Sequence, residues 1–376
     1  MNRPIVALDI GSTKVACAIG LPHEHTSGFE WLAGSVMPYP ALSEAWCADP
    51  LMVSRTIEQA LEATAIQTEF HRALIAISHP SLASERIRTA VTLADEPVTV
   101  RAQDLARLQA GALHQVLGVD REPLLVERLG CDGNGFEAVR DPRGLSATRL
   151  FGTFHIVTMP LAARRAVVQV VESAGLEVAR LLYTLPAIVA SVAGEEAVQR
   201  RVLVLDAGGL TTDIGLFVEG TLQGCAFVPC GGLTLATAIA KALHVTMDQA
   251  IALSLEGTSC RKGEVRAVIE HQWDAVQEAA RTLLEGQPRP DAVLIAGRGS
   301  LIDGFAEWME RAIGIPTMLA RSGRLARVGD VARQVALSPA VGLLELATRT
   351  GAAASRSPHL LNRLLDRTRT ILTEYF

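Results

Sequence analysis

Aromatic residues are scarce, at 4% of the 376 positions. That leaves too few ring faces for a stacking platform on single-stranded nucleic acid. Basic charge is not in excess either. The net charge is −5 and the pI is near 6.0, so no nucleic-acid partner is expected. The six cysteines (Cys17, Cys47, Cys131, Cys225, Cys230 and Cys260) include no Cys-x-x-Cys pair, which removes the usual zinc and thioredoxin spacings. Several lie in apolar runs as small hydrophobes, the usage expected in a reducing cytoplasm. The apolar run after Arg3 is broken by Asp9, so no signal peptide is expected. No apolar stretch reaches the roughly 20 residues of a membrane-spanning helix. A Gly-Lys-Ser/Thr phosphate loop is missing, and the late Gly297-Arg298-Gly299 lacks the third glycine of a dinucleotide fingerprint.

Hydrophobic residues make up 49% and charged residues 20%, enough for two domains with cores of their own. The chain opens on an apolar run, a turn and a second apolar run, Ile5 to Ile19. The turn carries Asp9, Gly11, Ser12, Thr13 and Lys14. About two hundred residues later the plan recurs from Arg201 to Phe217, with Asp206, Gly208, Gly209, Thr211 and Thr212. Two such hairpins, one opening each half, suggest a site between related lobes.

Between the hairpins the pattern alternates. Strands are expected at Phe29–Val36, Arg72–Ser78, Leu150–Thr158 and Val178–Leu182, with helices at Leu51–Ala65, Ala162–Ala174 and from Pro186. This alternation implies a sheet covered by helices. Residues 79–150 differ, reading as a small α+β block with turn signals at Asp132-Gly133-Asn134-Gly135 and Asp141-Pro142-Arg143-Gly144. Thr99 is the expected N-cap of its helix. After the second hairpin come the paired glycines Gly231 and Gly232, helices over 234–243, 247–255 and 265–284, and a buried strand, Asp291–Ala296, that runs into Gly297. Helices at Ile302–Ala312 and Ala336–Ala347 complete the expected body. Residues 351–358 have linker composition. Beyond them Leu360, Leu361, Leu364, Leu365, Ile371, Leu372 and Phe376 fall largely on one side at helical spacing. A detached amphipathic helix must bury that side against a membrane, a partner or its own domain.

A nucleoside triphosphate needs donors for its oxygens, carboxylates for its metal and a pocket for its base. Glycines let the backbone approach phosphates closely. Asp9 and Asp206 are placed to hold Mg2+ from opposite sides. Ser12, Thr13, Thr211 and Thr212 supply hydroxyls and Lys14 supplies charge. Gly231 and Gly232 add close backbone, and Gly297, Arg298 and Gly299 form the wall of a nucleoside pocket. No convincing general base stands out among Glu195, Glu196 and Asp213. His23-Glu24-His25 has metal-like spacing but lacks an evident third ligand.

The order of hairpin, hairpin, then strand and glycine turn is that of actin-like ATPases. The chain resembles the FtsA family of bacterial division proteins over essentially its full length. Asp9-Ile10-Gly11-Ser12-Thr13-Lys14-Val15 is similar to the family's first motif. Val293 to Gly297 with Ser300 to Gly304 resembles its adenosine motif, the 79–150 block its peculiar subdomain, and the terminal helix its membrane-targeting tail. The resemblance implies an α/β fold of two actin-like (ribonuclease H-like) lobes with a small α+β insert and a C-terminal amphipathic helix. It divides the chain into a first lobe (1–78 and 151–195), the insert (79–150), a second lobe with a reduced outer subdomain (196–350), a linker (351–358) and the membrane helix (359–376). It further implies ATP with Mg2+ between the lobes, self-association into filaments, tethering of FtsZ to the cytoplasmic membrane face at the division site, and contact with other division proteins.

Departures from the family pattern bear on turnover. Leu210 stands where a third glycine is usual, and Arg298 where a second glycine is usual. Ala236 and Ala238 replace a threonine and an aspartate, and Ala252 a lysine. These changes imply weak or no ATPase activity. The short stretch over 255–290 keeps little more than one helix of the FtsZ-contacting subdomain, which implies altered docking. Two related alternatives are a PilM-type actin-like adaptor for pilus assembly and a small-molecule kinase of the same superfamily; the kinase would need an acceptor pocket with a catalytic carboxylate, and the sequence offers none.

Overall fold

The computed structural model describes residues 3–24, 28–39, 49–192 and 200–354. The proposed membrane helix and its seven apolar residues, together with Glu195, Glu196, His25 and Cys47, lie outside the described residues.

The first sheet forms because its strands are short apolar runs. These are β1 (Ile5–Ile10), β2 (Lys14–Pro22), β3 (Phe29–Pro38), β4 (Arg72–Ile77) and β11 (Glu177–Tyr183), in the order β11-β4-β1-β2-β3. β1 pairs antiparallel with β2 and parallel with β4. The second sheet uses β12 (Arg201–Ala207), β13 (Thr212–Val218), β14 (Thr221–Val228), β15 (Ala292–Ala296) and β16 (Thr317–Leu319). Its order, β14-β13-β12-β15-β16, and its strand directions repeat those of the first. The two halves are therefore the same five-stranded unit.

Side-chain size sorts the two faces of the first sheet. Val6, Leu8, Ile10, Val15, Cys17 and Ile19 enter one core with Val53 and Ile57 of α1 (Pro50–Glu62) and Val167 and Val170 of α3 (Leu161–Ser173). The other face presents Ala7, Ala16, Ala18 and Ala76 to α9 (Val331–Ala354). Small residues let that helix lie close. α9 also crosses α4 (Thr184–Val192), and a Cβ added at Gly342 would sit 1.7 Å from the carbonyl oxygen of Ala187. Only glycine allows that crossing. α9 follows the second sheet in sequence yet packs on the first, so with α4 it ties the two halves together. The second core gathers β12, β13 and β15 with α5 (Gly232–Leu243) and α7 (Gly263–Leu284) around Trp273.

Between β4 and β11 lies a separate antiparallel sheet. It comprises β5 (Ala83–Thr92), β7 (Arg121–Gly133), β8 (Phe136–Val139) and β10 (Arg149–Pro160), in the order β5-β10-β7-β8. α2 (Ala102–Val116) covers one face through Leu105, Leu108 and Ala112. The remaining strands β6 (Val98–Thr99) and β9 (Ser146–Ala147) pair beside it.

Four expectations need correction. The resemblance places residues 151–158 of this strand in the first lobe, but β10 pairs along its length with β5 and β7 and is a central strand of the inserted sheet. Its apolar pattern marks a strand without marking its partners. The N-cap of α2 is Arg101, not Thr99, and the Asp104 carboxylate accepts from the Arg101 backbone N–H at 2.9 Å. The helix expected from Ile302 starts at Phe305, as α8 (Phe305–Ile313), after a 3-10 turn over Arg298–Leu301. Lastly, α9 runs to Ala354, through the first four residues of the compositional linker. Three of those four are alanines, strong helix formers that extend an established helix.

Candidate functional site

The two hairpins meet at a cleft of about 490 Å³. Each is closed in the same way. The Gly11 N–H donates to the Lys14 carbonyl at 3.0 Å, and the Gly208 N–H to the Thr211 carbonyl at 2.8 Å. In each, a β-strand delivers an aspartate to the mouth of the turn. Asp9 lies opposite Ala16 in β2, and Asp206 lies opposite Asp213 in β13. Asp9, Gly11, Ser12, Thr13, Lys14, Asp206, Gly208, Gly209, Thr211, Gly232, Gly297, Arg298 and Gly299 all line this one cleft. The lobes touch at the hairpins. A Cβ on Gly209 would come within 2.6 Å of Ser12 Oγ and 3.0 Å of Thr13 Cγ2.

Two proposed residues stand outside the lining. Thr212 is buried, and its hydroxyl donates to the Cys230 carbonyl at 2.6 Å. Gly231 is the N-cap of α5. The first N–H groups of that helix are already engaged. Gly232 donates to Gly208 O at 2.9 Å and Leu233 to Gly209 O at 2.8 Å. The paired glycines thus knit the second hairpin to α5 and leave those helix N–H groups unavailable to an anion. Among the departures, Leu210 and Arg298 do line the cleft, whereas Ala236, Ala238 and Ala252 do not. Ala236 is packed in the second core, so its small size serves packing there.

Charge differs across the cleft. Lys14 Nζ and Asp9 Oδ2 form a buried ion pair at 2.5 Å, and Nζ also donates to the Ala336 carbonyl of α9 at 3.3 Å. Among the described residues, no cation pairs with Asp206 in this way. Its surroundings push its pKa up to about 8, first by desolvation, then through the nearby Asp213 and Asp9 carboxylates, with Lys14 opposing. Asp213 is pushed up to about 6 by burial, an effect moderated by the Ser78 hydroxyl, which donates to its Oδ2 at 2.7 Å. That bond joins the end of the first sheet to the second. Asp213 does not line the cleft, so this candidate base faces protein. Of the histidines, His155 is buried beside Ser84, 2.9 Å from its Oγ, and its pKa is lowered to about 4 by burial.

The donor set fits a polyphosphate with a divalent cation. One ammonium and several hydroxyls stand beside two carboxylates of opposite lobes. Among the described residues, no group of three or more His, Cys, Asp or Glu side chains could hold a metal by itself. The metal would therefore need ligand oxygens and water as well.

Motif reasoning missed three contributions. α6 (Met247–Glu256) lends Met247, Asp248, Ile251 and Leu255 to one wall. α9 lends Val335 and Pro339, and the Tyr39 hydroxyl donates to the Gly11 carbonyl. The spacing of Met247, Ile251 and Leu255 is visible in the sequence, but at i, i+4, i+8 it signals a core stripe equally well.

Comparison with known proteins agrees with this layout. A family model described as the SHS2 domain inserted in FTSA matches residues 80–158. The cell division protein FtsA of Pseudomonas aeruginosa is 25% identical, over 91% of this chain and 89% of that one. FtsA of Escherichia coli K12 is 24% identical over 70% of this chain and 62% of its own length. Among solved structures, a PilM-PilN type IV pilus biogenesis complex aligns with a TM-score of 0.65 at 16% identity, covering 93% of this chain and 98% of that one. MreB 5 of Spiroplasma citri bound to AMPPNP aligns with a TM-score of 0.54 at 12% identity, over 95% and 99%. The fold is that of the actin-like proteins.

Proposed function

We propose that this chain, which belongs to the FtsA family and is an actin-like cell-division protein, binds ATP with Mg2+ between its lobes, self-associates, and tethers the FtsZ ring to the cytoplasmic face of the membrane at the division site. The observation that carries the reading is the inserted four-stranded sheet. It stands between β4 and β11 of an actin-like body, where the FtsA-type domain matches, in a chain similar to FtsA along most of its length.

In this reading Lys14, Ser12, Thr13 and Thr211 hold the phosphates, and Asp9 and Asp206 hold the cation. Bound Mg2+ would offset phosphate charge and favour the ionised form of Asp206. Turnover is weak or absent, because Asp213 accepts from Ser78 and does not line the cleft. Nucleotide then acts by closing the two lobes onto one another, which supports assembly. Residues 359–376 supply membrane affinity through Leu360, Leu361, Leu364, Leu365, Ile371, Leu372 and Phe376. One short helix binds reversibly, and a filament presenting many of them binds firmly. A PilM-type adaptor shares the fold, but the FtsA relatives match in sequence.

The test is recruitment of fluorescent FtsZ filaments to liposomes by the full chain and by residues 1–358. The full chain should recruit them and the truncated chain should not. Equal recruitment by both would remove the tail from the account, and co-purification with a pilus component in place of FtsZ would favour the adaptor.

A further inference from the structure

The wall of the cleft built by α6 and the turn after β15 bears on which base the site accepts. The inference rests on the nucleotide reading above. α6 and the turn are held together where Gly257 abuts Asp303 and where Ser259 Oγ donates to Asp303 Oδ2 at 2.5 Å. The side chains they turn into the cleft are mostly apolar: Met247, Ile251, Leu255 and Ile302. Leu255 is 62% exposed and Ile251 40%, so this surface is available to a ligand and is not consumed by the core.

Three polar groups of the wall are already partnered. Ser254 lines the cleft, but its hydroxyl donates to the Ile251 carbonyl at 2.8 Å. The Gly297 carbonyl accepts from both the N–H and the hydroxyl of Ser300, at 3.2 and 2.7 Å, and the Gly299 carbonyl accepts from the Ile302 N–H at 3.2 Å. Among the described residues, the polar side chains of this wall left to face a base are Asp248 and Arg298, and both are exposed.

Strong discrimination between bases requires buried, fixed polar groups that are stranded by the wrong ligand. An apolar slot with solvated polar groups at its rim loses little when the pattern changes, because water fills the gap. The pair at this rim also suits either purine. A guanidinium can donate to N7 of both bases and to O6 of guanine, and an exposed carboxylate can accept from N6 of adenine or turn to water when guanine O6 takes that place. Apolar burial of the ring is likewise indifferent to its edge.

We propose that the cleft accepts guanine nucleotides as well as adenine nucleotides, with affinities within about tenfold of each other. The experiment is displacement of N-methylanthraniloyl-ATP from the full chain by ATP and by GTP, with Mg2+, followed by fluorescence anisotropy. Both should displace the probe with midpoints within about tenfold. A larger preference for ATP would overturn the inference while leaving the nucleotide site intact. Failure of the probe and of both nucleotides to bind would overturn the site reading, and this inference with it. The exposed-residue variant Ile251→Ser/Leu255→Ser provides a second readout. It should weaken ATP and GTP by the same factor, on the order of tenfold, and a changed ATP-to-GTP ratio would contradict a base-indifferent wall.

Discussion

The two hairpins are built to one plan and differ in charge at two equivalent positions. Five residues after its aspartate, the first has Lys14 and the second Thr211. Seven residues after, opposite the aspartate, the first has Ala16 and the second Asp213. The first hairpin is therefore neutralised within itself, by the Asp9–Lys14 ion pair. The second concentrates two carboxylates with no cation of its own, and both are pushed towards the protonated form. The same turn closure thus yields one lobe whose charges offset each other and one whose carboxylates need a cation. The lobes differ in their side chains, while the turn hydrogen bonds are the same.

The sharpest way to break this comparison is Lys14→Met. It strands the Asp9 carboxylate in a buried place and frees the Ala336 carbonyl. A loss of about 3–5 kcal/mol in urea unfolding is expected, together with loss of nucleotide binding. Next comes Asp206→Asn. A carboxyl whose folded pKa is raised stabilises the fold below its unfolded value and loses that contribution as pH rises through the folded value, here from about 4 towards 8. The wild type should therefore lose stability relative to Asp206→Asn between pH 5 and 8. The difference should be on the order of 1–3 kcal/mol, trimmed by water in the cleft, and parallel stability–pH curves would contradict the assignment. Gly209→Ala pushes a methyl group against Ser12 and Thr13 and should cost about 1–3 kcal/mol, with hydrogen exchange rising on both sides of the contact. The smallest effect is expected for Ser78→Ala. It removes one bond between the halves, costs about 1–2 kcal/mol, and should raise the Asp213 pKa further, as an NMR titration of its carboxyl carbon would show.

Much of the architecture was legible because it is written in short-range patterns. Apolar runs ending in Asp-x-Gly gave both hairpins, and the late Gly297 turn fell where a strand ends. Pairing was less legible. β10 reads as a strand whichever sheet it joins, and only the register with β5 and β7 places it in the insert. The site divided along the same line. Asp9, Lys14 and Asp206 are marked by local motif, but Ser78, Val335 and the α6 stripe reach the cleft through tertiary packing. Thr212 and Gly231 carry the expected residue types and turn to backbone partners instead. The departure at Ala236 misled for a related reason, since a helix can follow a site-lining residue with one that faces the core.

The central claim is that the asymmetric hairpins together hold a nucleotide. Titration calorimetry of ATP with Mg2+ into the full chain, beside Asp206→Ala, tests it most directly. The account predicts a saturable single-site isotherm for the wild type and marked weakening in the variant. Flat isotherms for both would show that the cleft serves assembly without a nucleotide and would contradict the account.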